Sequence, residues 1–455
     1  MMLRTDVGLA CLLAAAAGLQ GQSLLTLSPY EGTRTAAVMD LGDIDPTLGG
    51  LQAAPTARSL RTGGATSFAG TQVVFLDFDS QTDGTEHVYT TTERDAIEAR
   101  IASTFSQFQY SFTQTAPASG TFATLIFNAG PDGGLADGVD FRNLNLGGSA
   151  TINVNAFIGG TGEPPGTSAN FIAGSANIGA HELGHLSGLR HGDSFGPIGT
   201  GRPSTGTPAT TSYFPTSPVP ANGTESATNL MASPASIGQP LANIFGNQLA
   251  LSERSATKLA VGEQASVTSE APGPKNTTAT AQPLTLQTID VPNTRRSGDA
   301  NFGQNFTADV AVVTGTIGVA GEIDGYRFSG NAGDLINLEV MSNVLSRITD
   351  KIDPLVEILQ SNGAGGTLTV PYYTSPNAFN HDEFESLDSI LIDLVLPATS
   401  DYFIVVGADG EFGASLATGD YELYFSRFNV PEPGTAMLAV AGLGHLLVRR
   451  RAALR

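Results

Sequence analysis

Two hydrophobic patterns divide the chain near residue 270. Upstream, apolar runs of strand length alternate with glycine-rich turns, in TQVVFLDFD, YSFTQT, FATLIFN and SATINVNAFIG. A helix is predicted after the capping-box pattern Thr90-x-x-Glu93, where apolar residues recur at helical spacing: Ile97, Ile101, Phe105 and Phe108. A second helix is predicted from about Ser168 into a histidine-rich stretch. This mixture predicts an α+β domain with a twisted sheet over residues 69–262.

Downstream, the hydrophobic period becomes two. The segments DGYRFSG, DLINLEV, SILIDLVLP, DYFIVVGA and GDYELYF alternate apolar and polar positions between turns rich in glycine and aspartate. Short strands at such spacing predict an all-β sandwich over residues 274–428. The polar stretch 263–273 has no pattern and is expected to be a linker. Residues 23–68 lack sustained periodicity and are expected to be a propeptide or a linker.

The net charge of the chain argues against two classes of binding partner. The 455 residues include 43 Asp and Glu against 22 Lys and Arg, which gives a formal net charge of −21. Nucleic acid and anionic membrane surfaces would repel such a chain, so neither is expected as a partner. The single cysteine, Cys11, lies near the N-terminus. The rest of the chain therefore offers neither disulfides nor thiolate zinc ligands.

Both ends carry targeting patterns. Residues 1–22 place Arg4 before an apolar run that ends in small residues, which predicts a secretory signal peptide. The alternative is a lipoprotein anchor on Cys11, although Gly8 stands where a large aliphatic residue is usual. Residues 429–455 combine Pro-Glu-Pro, an uncharged run and an arginine cluster. That run is short against the ~20 residues of a membrane-spanning helix.

The C-terminal arrangement resembles the PEP-CTERM sorting tail of Gram-negative bacteria. A simple tail anchor, held inside by the arginines, is the alternative. The resemblance implies delivery across the inner membrane and processing by exosortase-type sorting machinery. We therefore expect an extracytoplasmic protein, secreted or held in the cell envelope or extracellular matrix, with no permanent membrane span after processing.

Three of the six histidines lie in HELGHLSGLRHGD, residues 181–193. On the predicted helix, His181 and His185 project from one face with Cβ atoms ~5–6 Å apart, so both imidazoles can bind one metal ion. His191 follows His185 by six residues, which is roughly 240° around an ideal helix. The helix must therefore end before His191, and Gly188 can turn the chain with a positive φ. Three imidazoles and an open position are typical of catalytic zinc.

The stretch matches the metzincin signature HExxHxxGxxH in full. It resembles that superfamily of zinc endopeptidases, and the resemblance implies that His181, His185 and His191 bind Zn²⁺. It also implies that Glu182 is the general base for a zinc-activated water that attacks the peptide bond. The substrates would be proteins or peptides.

Metzincins also have a methionine in a tight turn beneath the metal, and Met231 in NLMASPAS has the position for it. No tyrosine follows Met231 closely, so the tyrosine ligand of some branches is not expected. Gly192-Asp193 follows the third histidine and identifies no well-known branch. Asp193 either orients the ligand loop or is an ordinary turn aspartate. For latency, Asp43 resembles the aspartate switch of the astacins, and a solvated acidic loop is the alternative.

Residues 274–428 resemble the bacterial pre-peptidase C-terminal domain. NTTATAQPL, DGYRFSG-NAGD, LPATSDYFIVV and GDYELYF carry this resemblance. It implies a β-sandwich appendage of secreted peptidases that is often removed on maturation. Because the proposed ligands and base lie before residue 192 and Met231 closes the site, the sandwich is expected to be dispensable for bond cleavage.

The remaining acidic and histidine residues carry weaker signals. A group of acidic turn residues offers either Ca²⁺ ligands or solvated loops: Asp350, Asp353, Asp382, Glu383, Glu385 and Asp388. His87, His381 and His445 have no ligand-like spacing. The sequence thus predicts a secreted zinc-dependent endopeptidase. The alternative is an extracellular matrix or adhesion protein with a structural or vestigial zinc site, in which Glu182 would have no task.

Overall fold

The structure is a computed structural model. It describes residues 24–27, 70–199, 201, 228–233, 241–246, 248–294, 305–373, 375–380, 386–409 and 416–429. The predicted signal peptide (1–22), Asp43 and the sorting tail from residue 430 onward lie outside these ranges. No helix in the described part of the chain is both long enough and apolar enough to cross a membrane.

The N-terminal part contains a five-stranded sheet. Its strands are β1 (Gln72–Asp77), β2 (Tyr110–Thr113), β3 (Ala123–Phe127), β4 (Gly133–Ala136) and β5 (Ser149–Asn153). Their order is β2-β1-β3-β5-β4, and β4 alone runs antiparallel to its neighbour. The four strands predicted from apolar runs are confirmed. Strand β4 was missed because its sequence, GGLA, has no alternation of apolar and polar residues.

In the described part of the chain, four α-helices accompany the sheet. They are α1 (Thr91–Thr104), α2 (Ser168–Leu186), α3 (Leu241–Gly246) and α4 (Glu253–Gln264). The predicted capping box of Thr90 and Glu93 begins α1. Helix α2 is buried continuously over residues 173–186 and approaches α1 closely, because a Cβ on Gly179 would lie only 3.3 Å from Ile101 Cδ1. A helix buried on all sides belongs to the interior, where polar side chains need partners.

The C-terminal part is β-rich, as predicted. Its strands are β6 (Val267–Ser269), β7 (Gln282–Pro283), β8 (Gln287–Val291), β9 (Phe306–Ile317), β10 (Asp324–Gly330), β11 (Leu335–Met341), β12 (Pro354–Ser361), β13 (Thr367–Thr369), β14 (Ala378–Asn380), β15 (Ser389–Val395), β16 (Ser400–Ala408) and β17 (Gly419–Phe428). They form two six-stranded sheets, ordered β13-β12-β16-β10-β7 with β14 on β12, and β15-β11-β17-β9-β6 with β8 on β9. We name them the C-terminal sheet pair.

Besides a small cluster around Leu25 and Phe403, two large hydrophobic cores organise the described residues. One lies between the two C-terminal sheets and includes Val313, Tyr326 and Leu423. The other is continuous from the N-terminal sheet through α4 to Val310 and Tyr424 of the C-terminal sheet pair. Residues 263–273, the predicted linker, contain the end of α4 and strand β6. A chain ended at residue 262 would expose the shared core. The expectation that the C-terminal part is dispensable for bond cleavage stays a prediction.

Candidate metal centre

The three histidines of the motif converge. His181 and His185 lie on α2, and His191 begins a one-turn 3-10 helix, His191–Ser194. The Nε2 atom of His181 lies 3.2 Å from Nε2 of His185 and 3.2 Å from Nε2 of His191. Tetrahedral zinc with nitrogen ligands at ~2.0–2.1 Å would place those ligands about 3.3 Å apart. Within the described ranges, this is the one group of three or more metal-ligating side chains close enough to share an ion.

Hydrogen bonds fix the orientation of two imidazoles. The Nδ1 atom of His181 lies 2.7 Å from the carbonyl oxygen of Leu230, and Nδ1 of His185 lies 2.9 Å from that of Leu189. A carbonyl oxygen only accepts, so each Nδ1 carries the proton, and in a neutral ring Nε2 then holds a lone pair. These lone pairs face each other inside the protein and repel unless a cation lies between them. The donor set therefore fits a metal ion.

Gly188 ends α2 and turns the chain so that His191 lies beside His181, as predicted. The helix closes with two hydrogen bonds, from the Gly188 N–H to the His185 carbonyl oxygen and from the Leu189 N–H to that of Gly184. This is the Schellman arrangement, which requires a left-handed residue, and Gly188 has φ +93°. The same turn aims the Leu189 carbonyl oxygen at His185. One glycine thus ends the helix and orients a ligand.

Gly188→Ala is expected to lower the free energy of unfolding by about 3 kcal/mol. The left-handed backbone costs an alanine roughly 1–2 kcal/mol, and overpacking adds roughly 1–3 kcal/mol, because the new Cβ would lie 2.4 Å from Phe141 Cα. Gly159→Ala is the control, since Gly159 has φ +92° and no atom within 4 Å of its added Cβ. Urea unfolding of both variants measures the difference. Equal losses would mean that the contact with Phe141 is unimportant.

The turn that contains Met231 packs against α2, the helix that carries two of the histidines. Met231 is fully buried in the turn at residues 228–233. Its Sδ lies so close to α2 that a Cβ on Gly184 would be 2.5 Å away, so a larger residue at Gly184 would push the turn from the helix. The Asn229 side chain donates to the Ser194 carbonyl oxygen at 2.7 Å. The turn therefore supports both the ligand helix and the loop of the third histidine.

Glu182 lies next to the histidines, and its carboxyl group packs on β4. The side chain is buried, and a Cβ on Gly134 would lie 2.2 Å from its Oε1 and 2.7 Å from its Cγ. Gly134 therefore leaves the space that the carboxyl group occupies. The sequence gives no sign of this contact, because a single glycine in a glycine-rich stretch does not indicate which side chain faces it.

The sequence predicts zinc-dependent peptide-bond hydrolysis at this site, and on that prediction Gly134→Ala is expected to lower the rate of hydrolysis at least tenfold while stability and zinc content change little. The new Cβ would meet a flexible side chain, which can turn away at small cost, but the Glu182 carboxyl group would then leave its place. General acid–base groups contribute roughly 10²–10⁴-fold, so even partial displacement is visible. Gly84→Ala is the control, because its Cβ would have no atom within 4 Å. Full activity in Gly134→Ala would contradict this position for Glu182.

The other predicted candidates take structural positions. Asp193 is buried, and its Oδ2 accepts the Arg190 N–H and a bond from Lys258 Nζ, each at 2.8 Å. Asp388 is buried and accepts three backbone N–H groups of residues 342–344. His87 stacks on Phe171 with ring centroids 3.6 Å apart. Asp350 and Asp353 lie in the described part of the chain, where their backbone carbonyl oxygens accept the N–H groups of Asp420 and Asp409, each at 2.7 Å. The candidates Asp382, Glu383, Glu385, His381 and His445 lie outside the described residues.

Comparison with known proteins does not identify a family for this chain. No protein-family model matches the chain, and no curated protein matches it. Among solved structures, PliG of Aeromonas hydrophila, a periplasmic inhibitor of g-type lysozyme, matches at 14% identity and TM-score 0.19, over 36% of this chain and 97% of its own. PliG of Salmonella Typhimurium matches at 11% identity and TM-score 0.17, over 26% of this chain and 91% of its own. Similarity this low carries no argument.

Proposed function

We propose that the protein is an extracytoplasmic zinc-dependent endopeptidase of the metzincin type. One observation carries the proposal: three buried imidazoles converge, and the helix that carries two of them also carries a buried carboxyl group, that of Glu182. A purely structural ion needs no adjacent carboxyl group, whereas hydrolysis needs a base for the attacking water. The signal-peptide and sorting-tail patterns at the two ends support the proposed location and processing by exosortase-type machinery.

The residues of the site have different roles in the proposed hydrolysis. His181, His185 and His191 would hold zinc, which when bound supplies a Lewis acid that polarises the scissile carbonyl and lowers the pKa of a water molecule. Glu182 accepts the proton of the attacking water and returns it to the leaving amine nitrogen. The carbonyl oxygens of Leu230 and Leu189 hold the imidazoles of His181 and His185 in the tautomer that presents Nε2.

Strand β4 supports a peptide as the substrate. It is one of the two edge strands of the N-terminal sheet, and Gly134 of this strand faces Glu182. An extended peptide can add to such an edge through main-chain hydrogen bonds, which bind many sequences alike. A chain bound there would pass next to the proposed base. We therefore propose extended polypeptides rather than compact small molecules as substrates.

Hydrolysis of casein by the processed protein, with and without a metal chelator, tests the proposal. We expect hydrolysis that the chelator abolishes and that added Zn²⁺ restores. Protein that binds zinc and has lost its propeptide, yet cleaves neither casein nor unfolded polypeptides, would contradict the proposed activity.

A further inference from the structure

The turn that carries His191 packs against two basic side chains of α4. Arg254 and Lys258 lie four residues apart and therefore on one face of the helix, and both are buried. Lys258 Nζ lies 2.8 Å from Asp193 Oδ2, in the turn, and 2.8 Å from Glu339 Oε2, in β11. Lys258 thus connects the His191 turn to the C-terminal sheet pair through two buried ion pairs.

Arg254 makes a parallel connection at the other end of the turn. Its Nε donates to the carbonyl oxygen of Phe195 at 2.5 Å, and its Nη2 lies 2.6 Å from Asp393 Oδ2, in β15. The same carboxylate oxygen accepts the N–H groups of Gly199 and Gly201. Asp393 therefore fixes the cation beneath the turn and the chain that leaves it.

The residue before His191 contacts the C-terminal sheet pair directly. Arg190 is almost fully buried, and its Nη2 donates to Ser386 Oγ at 2.9 Å. Its Nη1 lies 3.7 Å from Glu339 Oε2 and 3.8 Å from Asp388 Oδ2. Charged groups from the C-terminal sheets thus contact residues on both sides of the third histidine. His181 and His185, by contrast, are positioned by α2 and by carbonyl groups of the N-terminal part.

We propose that the C-terminal sheet pair is part of the metal site, in which Glu339 and Asp393 are positioning residues for His191. This role rests on the metal binding of the proposed function. Buried charges that lose one partner rearrange or admit water, because the remaining charge is uncompensated. Removal of either carboxylate would therefore release the His191 turn while leaving the helix of the other two ligands in place. The C-terminal part is then a component of the centre and not a removable appendage.

Zinc affinity of intact-chain variants tests the positioning role. In Glu339→Gln we expect Zn²⁺ to bind ~10-fold more weakly. This is the lower end of the effect of losing a direct outer partner of a metal ligand, because Glu339 acts on the His191 turn through Lys258 and Arg190. Asp324→Asn is the matched control. Asp324 is an equally buried carboxylate of the C-terminal sheets, accepts a bond from Tyr421 Oη at 2.7 Å and pairs with Lys275 at 3.2 Å, away from His191. Its affinity for Zn²⁺ should equal that of the wild type.

Amide hydrogen exchange of the metal-free protein supplies a readout that general destabilisation would not reproduce. In Glu339→Gln, exchange should accelerate over residues 189–195 and stay unchanged over residues 177–185 of α2, because only the turn loses its support. Asp393→Asn tests the second connection, which runs through Arg254 to the His191 turn, if Glu339→Gln does not fold. Asp393 has φ +52°, a backbone conformation that asparagine tolerates.

The outcomes are distinguishable. Wild-type protein that binds no Zn²⁺ contradicts the proposed function itself. Wild-type Zn²⁺ binding that Glu339→Gln and Asp393→Asn leave unchanged, together with unchanged exchange over residues 189–195, overturns the positioning role alone. Weaker binding and faster exchange confined to that turn support the role.

Discussion

Glu182→Ala is expected to lower the turnover of peptide hydrolysis by at least ~10²–10⁴-fold at neutral pH. The side chain would be lost as proton acceptor for water and as proton donor to the leaving amine. The backbone should tolerate the change, because alanine is a better helix former than glutamate. His181 and His185 would remain on the helix, so zinc content should not change.

The measurements on Glu182 variants must distinguish a loss of turnover from a loss of substrate binding. The loss should appear in turnover more than in apparent substrate affinity, because Glu182 acts on the reacting atoms. Glu182→Gln is the matched variant, since it keeps the volume that packs on Gly134 but removes the base. Steady-state kinetics on an unfolded polypeptide, with zinc content measured on the same samples, decides the result. Equal rates in wild type and Glu182→Ala would show that the proposed hydrolytic mechanism is wrong.

His191→Ala is expected to weaken zinc binding by more than the ~10–100-fold that the loss of an outer partner causes. It removes one of three protein ligands and leaves two imidazoles on one helix face. The thermal stabilisation that added Zn²⁺ gives the wild type should shrink accordingly, because a ligand stabilises the folded state only as far as it binds.

His87→Ala is the control for this experiment. His87 is a histidine of the N-terminal part that stacks on Phe171 and bonds Glu93 instead of joining the triad. Its loss should leave the zinc stoichiometry at the wild-type value. Zinc content and affinity that His191→Ala leaves unchanged would contradict the three-histidine site.

The parts of the site that the sequence predicted are local in the chain. The ligand pair on α2 follows from the helical repeat, and the break at Gly188 follows from the angle to His191. Both could be argued from eleven residues because backbone geometry relates neighbours directly. Five strands of the C-terminal sheet pair, β10, β11, β15, β16 and β17, were predicted for the same reason, since alternation of apolar and polar positions marks such a strand by itself.

The missed parts depend on contacts between distant segments. Lys258 and Glu339 are 81 residues apart, and nothing near either residue indicates that they meet. Strand β4 forms beside β5 through backbone pairing, although GGLA has no strand-like side-chain pattern. The expectation that the C-terminal part is dispensable for bond cleavage was based on where the predicted ligands lie in the chain, and the sequence did not reveal the buried charges of the C-terminal sheets near the His191 turn.

X-ray absorption at the zinc edge of purified, zinc-loaded protein is the most direct test of the three-histidine zinc site. We expect one zinc per chain with three imidazole nitrogens at about 2.0–2.1 Å and one further light-atom ligand, as in a catalytic site. A spectrum that requires fewer than three imidazoles, or protein that retains no zinc at all, would contradict it.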